Sequence, residues 1–154
     1  MWSSGGRVDP VILGHLLGQH RDLHARLLAL RADFAAAGRS GSVPVQGIRD
    51  RLQELRDHLC DHFAQEEQGG FLEESIARMP RLAAAAREVV ADHPRLLAEL
   101  DALLERLPVR DIREEAWNET ADRFAAFTDH LLAHERNENA VVQQGYNEDF
   151  GFTD

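Results

Sequence analysis

Apolar residues recur along the chain at alternating intervals of three and four positions, which is the spacing of one face of an α-helix. Four stretches carry this pattern, at about 9–37, 46–78, 81–106 and 112–144, and we name them helices A to D. Ala, Leu, Arg and Glu dominate these stretches, and no strand-like alternation persists. The pattern therefore predicts an all-α protein with an irregular tail at 145–154.

Helix-breaking residues mark the connections between these helices. The segment from Gly38 to Pro44 is the clearest loop, and Met79-Pro80 and Leu107-Pro108 are weaker boundaries. We predict a single domain folded as an up-down-up-down antiparallel four-helix bundle, in which residues equally far from a turn lie level with each other. Level matching across the second connection requires helix B to continue through Gly69-Gly70, as a straight or kinked helix.

Each predicted helix has one apolar seam, and histidine or glutamate interrupts all four seams. The interrupting residues are His20 in A, His62 and Glu66 in B, His93 in C, and His134 and Glu138 in D. Counted from the turns, His20 lies level with His62, and Glu66 lies level with His93. We therefore expect these residues to meet at one height in the interior of the bundle.

Helices B and D contain the same motif, H-L-x-x-H-x-x-x-E, at 58–66 and 130–138. A histidine and a glutamate four residues apart lie on one helix face and can present ligand atoms to the same point. A buried glutamate without a partner costs several kcal/mol, so it needs a cation or a proton. Arginine does not supply this cation, because no arginine lies on any seam. Four histidines and two bridging glutamates match the ligand count of a dinuclear metal site.

The composition narrows the class of protein. The 154 residues are close to the size of one domain, and 27 acidic against 17 basic residues give a net charge of −10. An acidic chain without lysine argues against a nucleic-acid partner and against a basic membrane-binding surface. The sequence shows no apolar run of transmembrane length, no signal-peptide pattern and no second cysteine to pair with Cys60. We expect a cytoplasmic protein that is held together by its core.

In this combination the sequence resembles the hemerythrin-like HHE cation-binding family. The resemblance extends from helix A to about Val142. It implies a four-helix bundle that holds two non-heme iron ions per chain, joined by an oxo or hydroxo bridge. It also implies the metal ligands, which correspond to His20, to His62 with Glu66, to His93, and to His134 with Glu138.

Helix C departs from the pattern of the oxygen-carrying members of this family, which place a second histidine one turn after the first. Leu97 occupies that position here. Two six-coordinate iron ions would then keep two open positions rather than one. The candidates for a fifth nitrogen ligand are His24, His58 and His130, each one turn from a seam histidine. Because they lie on the flank of the seam, we expect them to support the ligands or to be partly solvated rather than to bind the metal.

Three functions are compatible with such a site. The first is a di-iron domain that binds or senses O₂, NO or a related small ligand, such as peroxide or an anion. The second is a redox enzyme of the peroxidase, oxidase or ferroxidase type, which the two open positions favour. The chain lacks the E-x-x-H motif of carboxylate-rich ferritin-like oxidases, and this absence favours the first function. The third is a structural bundle that holds zinc, because the same ligands suit Zn²⁺.

Overall fold

The computed structural model describes residues 10–40, 45–69, 71–107 and 114–149, and these residues form five helical segments and a 3₁₀ turn. The helical segments are α1 (Pro10–Ser40), α2 (Val45–Gly69), α3 (Phe71–Arg78), α4 (Ala83–Arg106) and α5 (Glu114–Asp149), and the 3₁₀ turn at Pro80–Leu82 precedes α4. Both α1 and α4 pack against α2 and α5, and the described residues form no strand. The predicted all-α four-helix bundle is therefore confirmed. None of the described helices is long and apolar enough to cross a membrane.

The first predicted helix is longer in the structure, and the second is described in two parts. Helix α1 continues to Ser40, through the start of the predicted loop, and residues 41–44 lie outside the described residues. The predicted helix B corresponds to α2, which is described as far as Gly69, and to α3, which is described from Phe71. The prediction that helix B continues through Gly69-Gly70 falls partly on Gly70, which lies outside the described part of the chain.

The buried interior consists of two apolar clusters with a polar layer between them. In the larger cluster, the ring of Phe34 stacks against Trp117 at 4.8 Å and against Phe124 at 4.6 Å, measured between ring centres. The smaller cluster lies next to α3 and the 3₁₀ turn, and it includes Leu16, Leu72, Val89 and Val141. The histidines and glutamates of the predicted seams are buried between these clusters along the helices. These six residues thus form a polar layer between two apolar clusters.

Helices α3 and α5 approach each other closely at Gly145. A Cβ atom on Gly145 would lie 2.9 Å from Oγ of Ser75 and 3.1 Å from its Cα atom. Such distances leave room only for glycine. The contact involves a segment that the sequence pattern assigned to the tail, and α5 in fact continues to Asp149. Packing on α3 therefore carries α5 beyond its predicted end at 144, and residues 150–154 lie outside the described residues.

Replacement of Gly145 by alanine should destabilise the protein, because the new methyl group would press on the backbone of Ser75. The matched control is Gly18 in α1, where no atom lies within 4 Å of the corresponding Cβ position. Gly18→Ala should raise the free energy of unfolding by about 0.5–1 kcal/mol. Gly145→Ala should lower it by about 1–3 kcal/mol. Urea unfolding measures both changes, and equal effects of the two substitutions would contradict the close approach of α3 to α5.

Candidate metal centre

The six polar seam residues lie together in the buried layer, and we call them the six-residue cluster. They form two overlapping groups of four: His20, His62, Glu66 and Glu138 in the first, and Glu66, His93, His134 and Glu138 in the second. Within each group, one ligand atom of every residue lies within 4.8 Å of the others. The two glutamates belong to both groups. Their carboxylates therefore lie between two pairs of histidines.

The imidazole rings of each pair meet edge to face across neighbouring helices, with interplanar angles of 71° and 68°. The ring centres of His20 and His62 are 5.1 Å apart, and the same distance separates the ring centres of His93 and His134. Glu138 Oε1 lies 2.7 Å from Nε2 of His20 and 3.7 Å from Nε2 of His62. Residues that are far apart in the sequence thus meet at one height, as the counting from the turns predicted.

Several atoms of the cluster are buried and have no hydrogen bond. They are both carboxylate oxygens of Glu66, Oε2 of Glu138, Nδ1 of His20, and Nε2 of His93 and of His134. Glu66 Oε2 lies 2.9 Å from Nε2 of His93, yet the two groups are not oriented as a hydrogen-bonded pair. Buried polar atoms without a partner are costly, and a cation among these nitrogens and oxygens would satisfy them. The cluster therefore fits a metal site.

Three of the four imidazole rings are also held from outside the cluster. The contacts at Nδ1 are His62 to Gln19 Oε1 at 2.5 Å, His93 to Glu67 Oε2 at 3.3 Å, and His134 to Asp92 Oδ2 at 3.2 Å. An N–H that donates at Nδ1 leaves the lone pair of Nε2 directed into the cluster. Phe63 fixes the His93 ring further by stacking on it, with ring centres 4.0 Å apart. The orientation of the rings thus suits metal ligation through Nε2.

The sequence analysis did not identify these three outer partners. Gln19, Glu67 and Asp92 each stand directly beside a cluster residue in the sequence. Consecutive helix positions are rotated by about 100°, so a side chain beside a seam position points towards the neighbouring helix and can reach the histidine there. An acidic or amide residue next to a seam histidine or glutamate could therefore have indicated these hydrogen-bond partners from the sequence.

His24 and His58, two of the three candidates for a fifth ligand, lie outside both groups of the cluster. His24 is half-exposed, and its Nε2 lies 2.6 Å from Oε2 of Glu135. Glu135 itself is buried, which the helix D seam did not predict. His58 is half-buried, and its Nε2 has no hydrogen-bond partner.

His130 also lies outside both groups, but it is linked to the cluster through Asp92. Its Nε2 lies 2.7 Å from Oδ1 of Asp92, whose other oxygen contacts His134. Its Nδ1 contacts Glu99 at the surface. His130 is therefore a neighbour of a cluster histidine rather than a member of the cluster.

The chain matches the family model of the hemerythrin HHE cation binding domain over residues 11–145. This range contains all six cluster residues and most of the chain, so the protein belongs to the hemerythrin HHE cation binding family. Neither a comparison with curated proteins nor a comparison with solved structures gave a match. Membership of a cation-binding family agrees with the buried cluster, which fits a metal site.

Without a metal, the cluster balances its charge with protons. Burial alone lowers the pKa of His62, but close contacts with Glu138 and Glu66 outweigh this effect and raise the pKa to about 9. Burial lowers the pKa of His134 to about 4. Burial raises the pKa of Glu66, and it would do the same for Glu138, whose pKa is instead lowered by contacts with Glu66, His20 and His62. The metal-free cluster thus contains groups that titrate far from their ordinary ranges.

The stability of the metal-free protein should therefore change in two separate pH ranges. The folded state resists protonation of His134, so stability should rise between about pH 4 and pH 6.5. The raised pKa of His62 stabilises the folded state below about pH 6.5, and this contribution should be lost as the pH rises through about 9. Each group changes the free energy of unfolding by at most about 1.4 kcal/mol per pH unit.

Denaturant unfolding in the presence of a chelator, repeated at each pH, measures this profile. The substitution His62→Gln should reduce the loss of stability between pH 6.5 and 9 and retain the rise at lower pH, because the raised pKa values of His93 and His130 contribute a remaining loss above pH 6.5. A wild-type profile that is flat above pH 6.5 would contradict the protonated state assigned to His62.

Proposed function

We propose that the protein is a di-iron domain that binds or senses small molecules such as O₂ and NO. The observation that carries this proposal is the pair of overlapping groups that share Glu66 and Glu138. One iron ion would lie between His20 and His62, and the other between His93 and His134. The two shared carboxylates would be ligands of both ions. Two buried glutamates need a cationic partner, and the iron ions would supply that positive charge.

The cavities that lead from solvent to the cluster favour a reactive pair of metal ions rather than a structural zinc site. The imidazole and carboxylate donors suit both metals. A structural zinc site is closed and needs no path to solvent. Here two open cavities of about 500 and 570 Å³ reach cluster residues, one at Glu66 and the other at His134. Such cavities suit a centre that exchanges small ligands.

Bound iron would supply a redox-active Lewis acid with exchangeable coordination positions. The residues of the chain orient the ligands of the iron and limit the direction from which a small molecule can approach it. Gln19, Glu67 and Asp92 hold the imidazole rings through Nδ1. The larger apolar cluster closes one side of the polar layer with fully buried leucines such as Leu59 and Leu96. A small ligand would therefore approach from the side of the layer that faces α3.

A redox enzyme of the peroxidase, oxidase or ferroxidase type is the second candidate, and Leu97 favours it. Leu97 lies one turn after His93, is half-buried and packs against the larger apolar cluster. It offers no ligand atom, so the metal between His93 and His134 would have one more exchangeable position than in an oxygen carrier. Additional exchangeable positions suit turnover better than reversible binding.

Anaerobic loading with ferrous iron should give two iron ions per chain. Glu66→Ala should lower the iron content to about one ion or none, because it removes a bridging carboxylate. Glu67→Ala is the matched control, since it removes the same side chain from the next residue. It should retain both ions with weaker affinity, because Glu67 only supports His93.

Elemental analysis of the wild-type and variant proteins measures these contents. One iron ion or none in the wild type would contradict the dinuclear site. Uptake of zinc without uptake of iron would favour the structural alternative.

Leu97→His should slow the reaction of the iron-loaded protein with hydrogen peroxide. The new imidazole would lie one turn from His93 on the same helix face and would occupy an exchangeable position. Leu97→Gln is the control, because it introduces a polar side chain of similar size that is a poor iron ligand. Stopped-flow absorbance measures the rates. Equal slowing by both substitutions would indicate disturbed packing and would contradict an open position next to His93.

A further inference from the structure

One of the two cavities that reach the cluster has apolar walls. It lies between α3 and α4, has a volume of about 500 Å³ and is lined by Leu72, Ile76, Ala86 and Val90. Leu72 and Ala86 are buried, and Ile76 and Val90 are partly buried, so the walls belong to the smaller apolar cluster. A pocket of this size and character suits a small molecule with little polarity.

The floor of this cavity is Glu66, one of the two shared carboxylates. Glu66 is 2% exposed, and neither of its oxygens has a hydrogen bond. Its Oε2 atom lies 2.9 Å from Nε2 of His93. Its Oε1 atom contacts Nε2 of His62, so Glu66 belongs to both groups. Glu67, whose carboxylate contacts His93, and residues of α4, the helix that carries His93, also line the cavity. The cavity therefore meets the cluster at a shared carboxylate, on the side where α4 carries His93.

The charges at the mouth of the cavity disfavour anions. Glu67 and Glu73 line it with two carboxylates, and Arg87 supplies one positive charge. Two buried carboxylates of the cluster lie behind it, and the whole chain carries a net charge of −10. A negative potential around a cavity lowers the local concentration of anions, whereas an uncharged molecule is not repelled.

The second cavity differs in its larger share of polar residues. It lies between α4 and α5 and has a volume of about 570 Å³. Apolar residues such as Val89 and Val141 line part of it, and Glu88, Asp92, His130 and Asn137 line the rest, beside His134. Asp92 is already engaged by His130 and His134 on this side. A ligand there would have to displace water from charged and amide groups, which is costly for an apolar molecule.

We infer that the ligand of the cluster is a small uncharged molecule that reaches the His93–His134 position through the apolar cavity between α3 and α4. This inference rests on the proposed di-iron function. It adds which of the two metal positions exchanges ligands, by which path, and with which class of molecule. The polar cavity between α4 and α5 is the competing path.

Nitric oxide is a suitable probe, because it is uncharged and its association with the ferrous protein is followed by stopped-flow absorbance. Val90→Trp places an indole in the apolar cavity at a partly exposed position. Ala85→Trp is the matched control, since it introduces the same side chain on the same helix but into the polar cavity. Val90→Trp should slow association about tenfold, equivalent to about 1.4 kcal/mol of barrier. Ala85→Trp should change the rate less than about twofold.

Iron content and circular dichroism show whether each variant retains its metal and its fold. If Val90→Trp does not fold, Ile76→Trp tests the opposite wall of the same cavity. If Ala85→Trp slows association as much as, or more than, the tryptophan variant in the apolar cavity, the proposed path is wrong. A wild-type protein that takes up no iron, or that takes up iron but never binds nitric oxide, would instead contradict the proposed function. Measurements on the wild-type protein alone reveal this outcome, before any variant is compared.

A second readout does not depend on iron. Xenon is an uncharged apolar probe, and methyl NMR of the purified full chain reports where it binds. The methyl resonances of Leu72, Ile76 and Val90 should shift with xenon pressure, and the shifts of Leu72 and Ile76 should disappear in Val90→Trp. Xenon shifts confined to residues of the polar cavity would overturn the path.

Azide tests the class of ligand. Salt screens the repulsion between an anion and the acidic mouth, so association of azide with the ferric wild-type protein should become faster as ionic strength rises. The rate for nitric oxide with the ferrous protein should stay constant over the same range. An azide rate that falls or does not change would overturn the selection against anions.

Discussion

Two carboxylates buried in the middle of an apolar bundle impose the main constraint on this protein. Glu66 and Glu138 are at most 2% exposed, and leucine and phenylalanine side chains fill the neighbouring layers. A carboxylate in such a place is stable only beside a cation or a proton, and the seams supply histidine rather than arginine. Because the partners come from four helices, the helices cannot slide past one another without separating the charges. The polar layer therefore sets the register of the whole bundle.

The same layer divides the interior into parts with different roles. The larger apolar cluster, with its stacked aromatic rings and fully buried leucines, supplies most of the buried apolar surface and closes one side of the layer. The smaller cluster lies on the other side, where α3 packs against α5 and next to α4. Leu72, Glu73 and Ile76 of α3 line an apolar cavity that also includes Glu66. The part of the bundle next to the smaller apolar cluster thus contains a cavity that reaches the six-residue cluster.

The surroundings of the histidines link stability to chemistry. Gln19, Glu67 and Asp92 orient the rings through Nδ1, and Asp92 also connects His134 to His130. A metal in the cluster would replace the proton that Glu138 and Glu66 stabilise on His62, and it would satisfy the atoms that now lack hydrogen bonds. Binding of a cation and tightening of the bundle should therefore be coupled.

The sequence by itself determined the helices, their buried faces and the meeting of six residues at one height. These properties follow from local periodicity and from counting along nearly straight helices, which need no knowledge of side-chain packing. Only the tertiary structure decided which residues on the flanks of the seams contact the cluster. His24, His58 and His130 stay outside the cluster, whereas Gln19, Glu67 and Asp92 contact its histidines. The partner of a flank side chain depends on how the neighbouring helix is rotated. The close contact at Gly145, which extends α5, and the cavity beside α3 depend on that same packing, and neither is encoded in the spacing of residues along a helix.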